Sequence, residues 1–82
     1  MSDEEILAGI AEVARRHLAW TATVVPEMRL VEDLQLDSLR LLTLAVEVEN
    51  RFRVRLTPED EAAIVTVGDL VAAVRRKLAE GE

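Results

Sequence analysis

The sequence predicts an all-α fold, a four-helix bundle with three longer helices, one short helix and a long loop between the first and the second. Three observations carry this. Apolar residues recur at helical spacing in separated stretches, and each stretch follows a residue able to cap a helix. The core must be built from Leu, Val, Ile and Ala, since Trp20 and Phe52 are the only aromatics. No two alternating segments are joined by a hairpin turn. Val54 and Leu56 alternate with Arg53 and Arg55, but that segment is too short to support a sheet.

Ser2 opens the first helix. Glu5 stands where a capping box places it, and Ile6, Ile10, Val13 and Leu18 follow at nearly helical spacing, widened by Leu7 and Ala14. The spacing predicts a helix over about 3–18, with Glu12, Arg15 and Arg16 mostly on the other face. Residues 19–36 keep no period, and Thr21, Thr23, Val24, Val25 and Pro26 oppose helix. A connection this long is functional or disordered. Its Met28, Leu30, Val31, Leu34 and Leu36 favour an ordered loop pinned to the core.

Asp37 caps the second helix, which runs unbroken from Ser38 to about Arg51. Leu39, Leu42, Ala45, Val46 and Phe52 are expected to supply its buried face. Leu41, Leu44 and Val48 spread apolar surface around much of the helix, as in a central element. Thr57-Pro58-Glu59-Asp60 combines a cap, a proline at the first helical position and early acids, and opens a short helix through about Ile64. Thr66-Val67-Gly68-Asp69 begins the last helix, with its stripe at Val67, Leu70, Val71, Val74 and Leu78, and Gly81 follows its end.

Bulk properties narrow the function. A chain of 82 residues reads as one domain over 1–82 with little room for a deep active site, so an autonomous enzyme is disfavoured. There is one His, His17, and no Cys, so no thiol nucleophile, disulfide framework or Cys/His metal site can be assembled. Glu59, Asp60 and Glu61 read as helix-start acids and not as a metal site. The net charge of −6 disfavours nucleic acid and anionic lipid and favours partners with basic patches. No signal segment is evident at the N-terminus, and no apolar run approaches the roughly 20 residues of a membrane span. The expectation is a cytoplasmic monomer. Trp20 is expected to fold onto the first helix, Met28 to fill the core, and Arg51, Arg53 and Arg55 to form a solvated basic segment.

The informative segment is Asp33-Leu34-Gln35-Leu36-Asp37-Ser38-Leu39. A serine directly after a capping Asp sits on the first turn of a helix, where backbone N–H groups are unpaired and the dipole is positive. A phosphodiester on Ser38 would be stabilised there as phosphate is at helix N-termini generally. The position projects from a rigid element and is open to a modifying enzyme.

With Glu49 and Phe52 at the end of the second helix, then Ile64 and Thr66-Val67-Gly68-Asp69-Leu70, this segment resembles the acyl carrier protein family over about residues 6–78. The resemblance implies a 4′-phosphopantetheine arm on Ser38 whose terminal thiol carries acyl groups as thioesters, so the chain needs no cysteine and no catalysis of its own. It implies a phosphopantetheinyl transferase that reads Asp37, an acyl-loading ligase or transferase, and a ketosynthase or other processing enzyme. The cargo pathway stays open between fatty acid, polyketide and a specialised acyl product. It also implies that the second helix is a recognition element, with Leu39, Arg40, Thr43, Glu47 and Glu49 as its partner residues. Arg40, Leu41 and Thr43 are expected to face outward, and Arg40 suggests a dedicated partner.

One departure stands out. The family commonly has Gly where this chain has Gln35, so the loop is expected to enter the second helix along a slightly different path. Two rival readings stay open: an aminoacyl carrier of the D-alanine type, and a helical interaction module that carries nothing.

Overall fold

The computed structural model describes residues 1–80, so the helix-ending role expected of Gly81 lies outside the described residues. Helix α1 spans Asp3–Leu18, α2 Ser38–Phe52, α3 Pro58–Ala62 and α4 Val67–Glu80. The all-α expectation holds. Among the described residues the only extended pairing is an isolated bridge between Arg29 and Thr66.

Each start signal operates as chemistry. Ser2 and Glu5 form the capping box of α1, with the Glu5 N–H donating to Ser2 Oγ at 3.2 Å and the Ser2 N–H to Glu5 Oε1 at 2.9 Å. Thr57 and Asp60 repeat the device on α3. Thr66 and Asp69 exchange the same bonds at the start of α4, each at 3.0 Å. Helix α3 ends at Ala62, short of the expected Ile64, because its last turn tightens. The Ala63 N–H bonds back to Asp60 and the Ile64 N–H to Glu61, each three residues away.

Helix α1 packs against both α2 and α4. Ile6, Ile10 and Val13 meet Leu44, Val48 and Phe52 of α2 and Val67, Leu70, Val71 and Val74 of α4 in one buried cluster. Burial of such side chains, at roughly 1.5–3 kcal/mol each, is the main favourable term. Glu12 is not a free outer-face residue: it bonds Arg51 of α2 at 3.1 Å, and His17 lies 3.4 Å from Glu47.

The expected buried face of α2 is rotated. Leu39, Leu42 and Val46 are exposed by 71, 58 and 41%, whereas Leu44, Val48 and Phe52 are buried. The helix is apolar around much of its circumference, with Arg40, Thr43, Glu47 and Asn50 together on one sector, so periodicity leaves a broad apolar arc and does not say which part of it meets α1. Contact with Gly9 chooses it: a Cβ on Gly9 would stand 2.5 Å from Phe52 Cζ, so the missing side chain seats the ring.

The long loop is ordered against the core through Val24, Leu30, Leu34 and Leu36. Backbone bonds fix it to the start of α4, from Leu30 to Val65 at 3.0 Å, Val67 to Met28 at 2.9 Å and Gly68 to Pro26 at 2.8 Å. Trp20 and Met28 pack against the core as expected.

Helix α3 buries none of its residues. It is held instead by Asp60, whose carboxylate meets Arg76 at 2.9 Å and Lys77 at 3.0 Å on α4. The Thr57 N–H, then Lys77, hold that carboxyl well below the usual carboxylate range. Asp69 is likewise lowered, by the Val65 and then the Thr66 N–H groups.

Candidate functional site

The site begins at the loop's exit into α2. Asp37 adopts extended backbone and its Oδ1 accepts the Arg40 N–H at 2.9 Å, while its carbonyl accepts the Leu41 N–H at 2.8 Å. Asp37 is therefore the N-cap, as the sequence predicts. Ser38 is the first helical residue and is exposed. The first turn of α2 holds no acid of its own, so the positive end of its dipole opens toward whatever Ser38 bears.

Upstream, Asp33 Oδ2 accepts the Arg29 N–H at 2.7 Å, and backbone bonds from Leu34 to Arg29 and from Leu36 to Leu30 close the loop over itself. Gln35 stands in the left-handed region, at φ 57°. The expected detour is thus corrected: the chain keeps a conformation suited to glycine and accepts the strain of a side chain there. Leu34 and Leu36 on either side are buried, and their anchoring leaves the turn between them no other path.

Ser38 lies at the edge of an apolar cavity of about 390 Å³. Leu41, Leu42, Leu44 and Ala45 of α2 form one wall. Leu30 of the loop, Leu56, Ile64 and Leu70 of α4 form the rest, with Glu61 of α3 the one charged liner. A flexible chain attached to Ser38 has exposed space on one side and this hydrocarbon-lined hollow on the other. Sequence reasoning could not find this set, because Leu30, Leu56 and Ile64 come from segments without a helical period.

The other expected site residues are dispersed around α2. Leu39 and Arg40 are exposed, and the Thr43 hydroxyl donates to the Leu39 carbonyl at 3.1 Å. Leu41, expected outward, is half-buried and faces the cavity. Glu47 is beside His17, and Glu49 Oε2 accepts the Leu56 N–H at 2.7 Å, bracing the turn after α2. Of the basic cluster, Arg51 is paired with Glu12, while Arg53 ends α2 in the left-handed conformation at φ 58°.

Comparison with known proteins agrees with this geometry. A family model described as the phosphopantetheine attachment site matches residues 4–74. The chain is 38% identical over 77 residues to the meromycolate extension acyl carrier protein of Mycobacterium tuberculosis, covering 93% of this chain and 67% of that protein. It is 38% identical over 74 residues to an acyl carrier protein of Kineococcus radiotolerans, covering 89% of this chain and 91% of the relative. Among solved structures, an acyl carrier protein from Thermotoga maritima superposes with a TM-score of 0.86 at 27% identity, covering 100% of this chain and 96% of that one. One from Enterococcus faecalis gives 0.74 at 28% identity, covering 94% and 99%. Domains of this type carry a covalently attached 4′-phosphopantetheine. An exposed serine beside an apolar hollow, on a helix that matches the attachment-site family along its whole length, leads to one conclusion: the chain belongs to the acyl carrier protein family.

Proposed function

We propose that Ser38 is the residue that bears the arm, and that the protein carries acyl intermediates without catalysing any step itself. The observation that supports this most is the placement of an exposed Ser38 on the first turn of α2, at the edge of the apolar cavity. Ser2, the other serine of the chain, is engaged in the capping box of α1.

The arm supplies the terminal thiol that holds an acyl group as a thioester. The protein supplies the rest. The unpaired N–H groups and dipole of α2 favour the phosphodiester. Asp37 holds the helix start and offers the transferase a carboxylate next to Ser38. The cavity shelters an attached hydrocarbon chain, at roughly 0.8 kcal/mol for each methylene buried, which is enough for residence and too little to trap the cargo. This hollow suits an acyl chain better than a small charged aminoacyl group. The partners are a phosphopantetheinyl transferase that draws on coenzyme A in the cytoplasm, an acyl-loading enzyme, and acyl-processing enzymes of a fatty acid, polyketide or specialised acyl route.

Incubation with a phosphopantetheinyl transferase and coenzyme A, followed by mass spectrometry, tests the reading. The protein should gain one phosphopantetheine. Ser38→Ala should fold and gain none, and Asp37→Ala should gain it more slowly. A Ser38→Ala protein that still takes up the arm refutes the assignment.

A further inference from the structure

We infer that Glu61 makes the cavity beside Ser38 selective among cargoes: it favours acyl chains that bear a hydrogen-bond donor close to the thioester, such as 3-hydroxyacyl chains, and disfavours chains that bear a carboxylate there. This deepens the proposed role of Ser38 and rests on it, because only a chain tethered at that serine is held to this hollow.

The first observation is a gradient of burial along the cavity wall. Leu44, Leu56 and Leu70 are 3, 6 and 2% exposed and form its floor. Ser38, Leu42 and Glu61 are exposed and form its rim. An acyl chain enters tail first, because its methylenes gain from the hydrocarbon floor. Its thioester is joined to the arm and stays at the mouth. The carbons nearest the thioester are therefore the ones that meet the rim.

The second observation is that the fold leaves the Glu61 carboxylate without an ionic partner. The cap of α3 is made by Thr57 and Asp60, and the ion pairs to Arg76 and Lys77 of α4 are those of Asp60. Glu61 takes part through its backbone: its N–H donates to the Thr57 carbonyl at 3.0 Å, and its carbonyl accepts the Ile64 N–H at 3.2 Å. Among the described residues no cation lies within ion-pairing distance of its carboxylate. As the one charged residue of the lining, Glu61 gives the rim a group that only accepts hydrogen bonds.

Floor and rim then select on different properties. The floor is uniform hydrocarbon and holds chains by their length. At the rim, a methylene that settles against the carboxylate strips water from it and replaces none of the lost bonds. A hydroxyl in the same place offsets that loss with a charge-assisted hydrogen bond. A cargo carboxylate meets like charge.

The test uses cargoes of matched length. A phosphopantetheinyl transferase loads the apo protein from the coenzyme A thioesters of octanoate, 3-hydroxyoctanoate and 2-carboxyoctanoate, and mass spectrometry confirms one acylated arm per chain. Cleavage by neutral hydroxylamine then reads shelter, as protection relative to the same thioester on free coenzyme A. The 3-hydroxyoctanoyl form should be protected about two- to fivefold more than the octanoyl form, the size expected of one hydrogen bond at a partly wet rim. The 2-carboxyoctanoyl form should be protected less than the octanoyl form. Glu61→Leu should abolish both differences. Glu61→Gln, which keeps an acceptor and loses the charge, should retain the preference for the hydroxyl and admit the carboxylate. Equal protection of the three cargoes in the parent, or differences that survive in a folded Glu61→Leu protein, overturn the inference. A chain that never takes up an acylated arm sinks the carrier reading and this inference with it, whereas loaded forms that show no selectivity at Glu61 sink this inference alone.

Discussion

The Phe52 ring rests on the bare backbone of Gly9, so close that a Cβ at position 9 would stand 2.5 Å from Cζ and 3.2 Å from Cε1. This contact joins the second turn of α1 to the last turn of α2 and sets which side of α2 is inward. Gly9→Ala should gain the helix propensity of Ala over Gly, about 0.8–1.0 kcal/mol. It should lose more through overpacking, typically about 1–3 kcal/mol. The expected net loss is about 1 kcal/mol, a melting temperature lower by about 4–8 °C for a domain of this size. Calorimetry checks the sign, and Phe52→Leu in the same chain should recover part of the loss by making room.

Gln35 stores a second local cost. Its φ of 57° is left-handed, and its side chain is exposed. A side chain in that conformation costs about 1–2 kcal/mol. Gly removes that strain but adds about 0.4–1 kcal/mol of unfolded-chain entropy. Gln35→Gly should therefore stabilise the protein by about 0.5–1 kcal/mol, and Gln35→Val should destabilise it. Thermal denaturation followed by circular dichroism reads both. A Gly variant less stable than the parent would show that Gln35 makes a contribution beyond its backbone.

Acid should loosen the α3 end first. The carboxyls of Asp60 and Asp69 are both lowered in the fold by hydrogen bonds to their ionised forms. The unfolded chain therefore binds more protons than the native one below the ordinary Asp range, near pH 4. Their stabilisation is fully present above that range and is lost as pH falls toward the lowered native values. Melting temperature should be nearly level from pH 7 to 5 and fall from 4 to 2. Asp60→Asn should melt lower at pH 7, because Arg76 and Lys77 lose their partner, and should show a shallower fall below pH 4. An unchanged slope would place the acid sensitivity elsewhere.

The sequence by itself determined the element list, because start signals are local. Ser2 with Glu5, Asp37, Thr57-Pro58 and Thr66 with Asp69 each act within four residues, and the structure uses all of them. The same locality makes the Asp37-Ser38 junction legible, since cap and exposed serine need only the helix start. Tertiary structure alone decided the rest. Helix α2 carries a broad apolar arc, and which part of it turns inward was set with the help of a distant glycine and an aromatic ring. The cavity beside Ser38 gathers Leu30, Leu56, Ile64 and Leu70 from segments whose proximity no period records. Gln35 takes the left-handed turn because buried Leu34 and Leu36 hold the chain on both sides, and long-range burial outweighs a local backbone preference of about 1–2 kcal/mol.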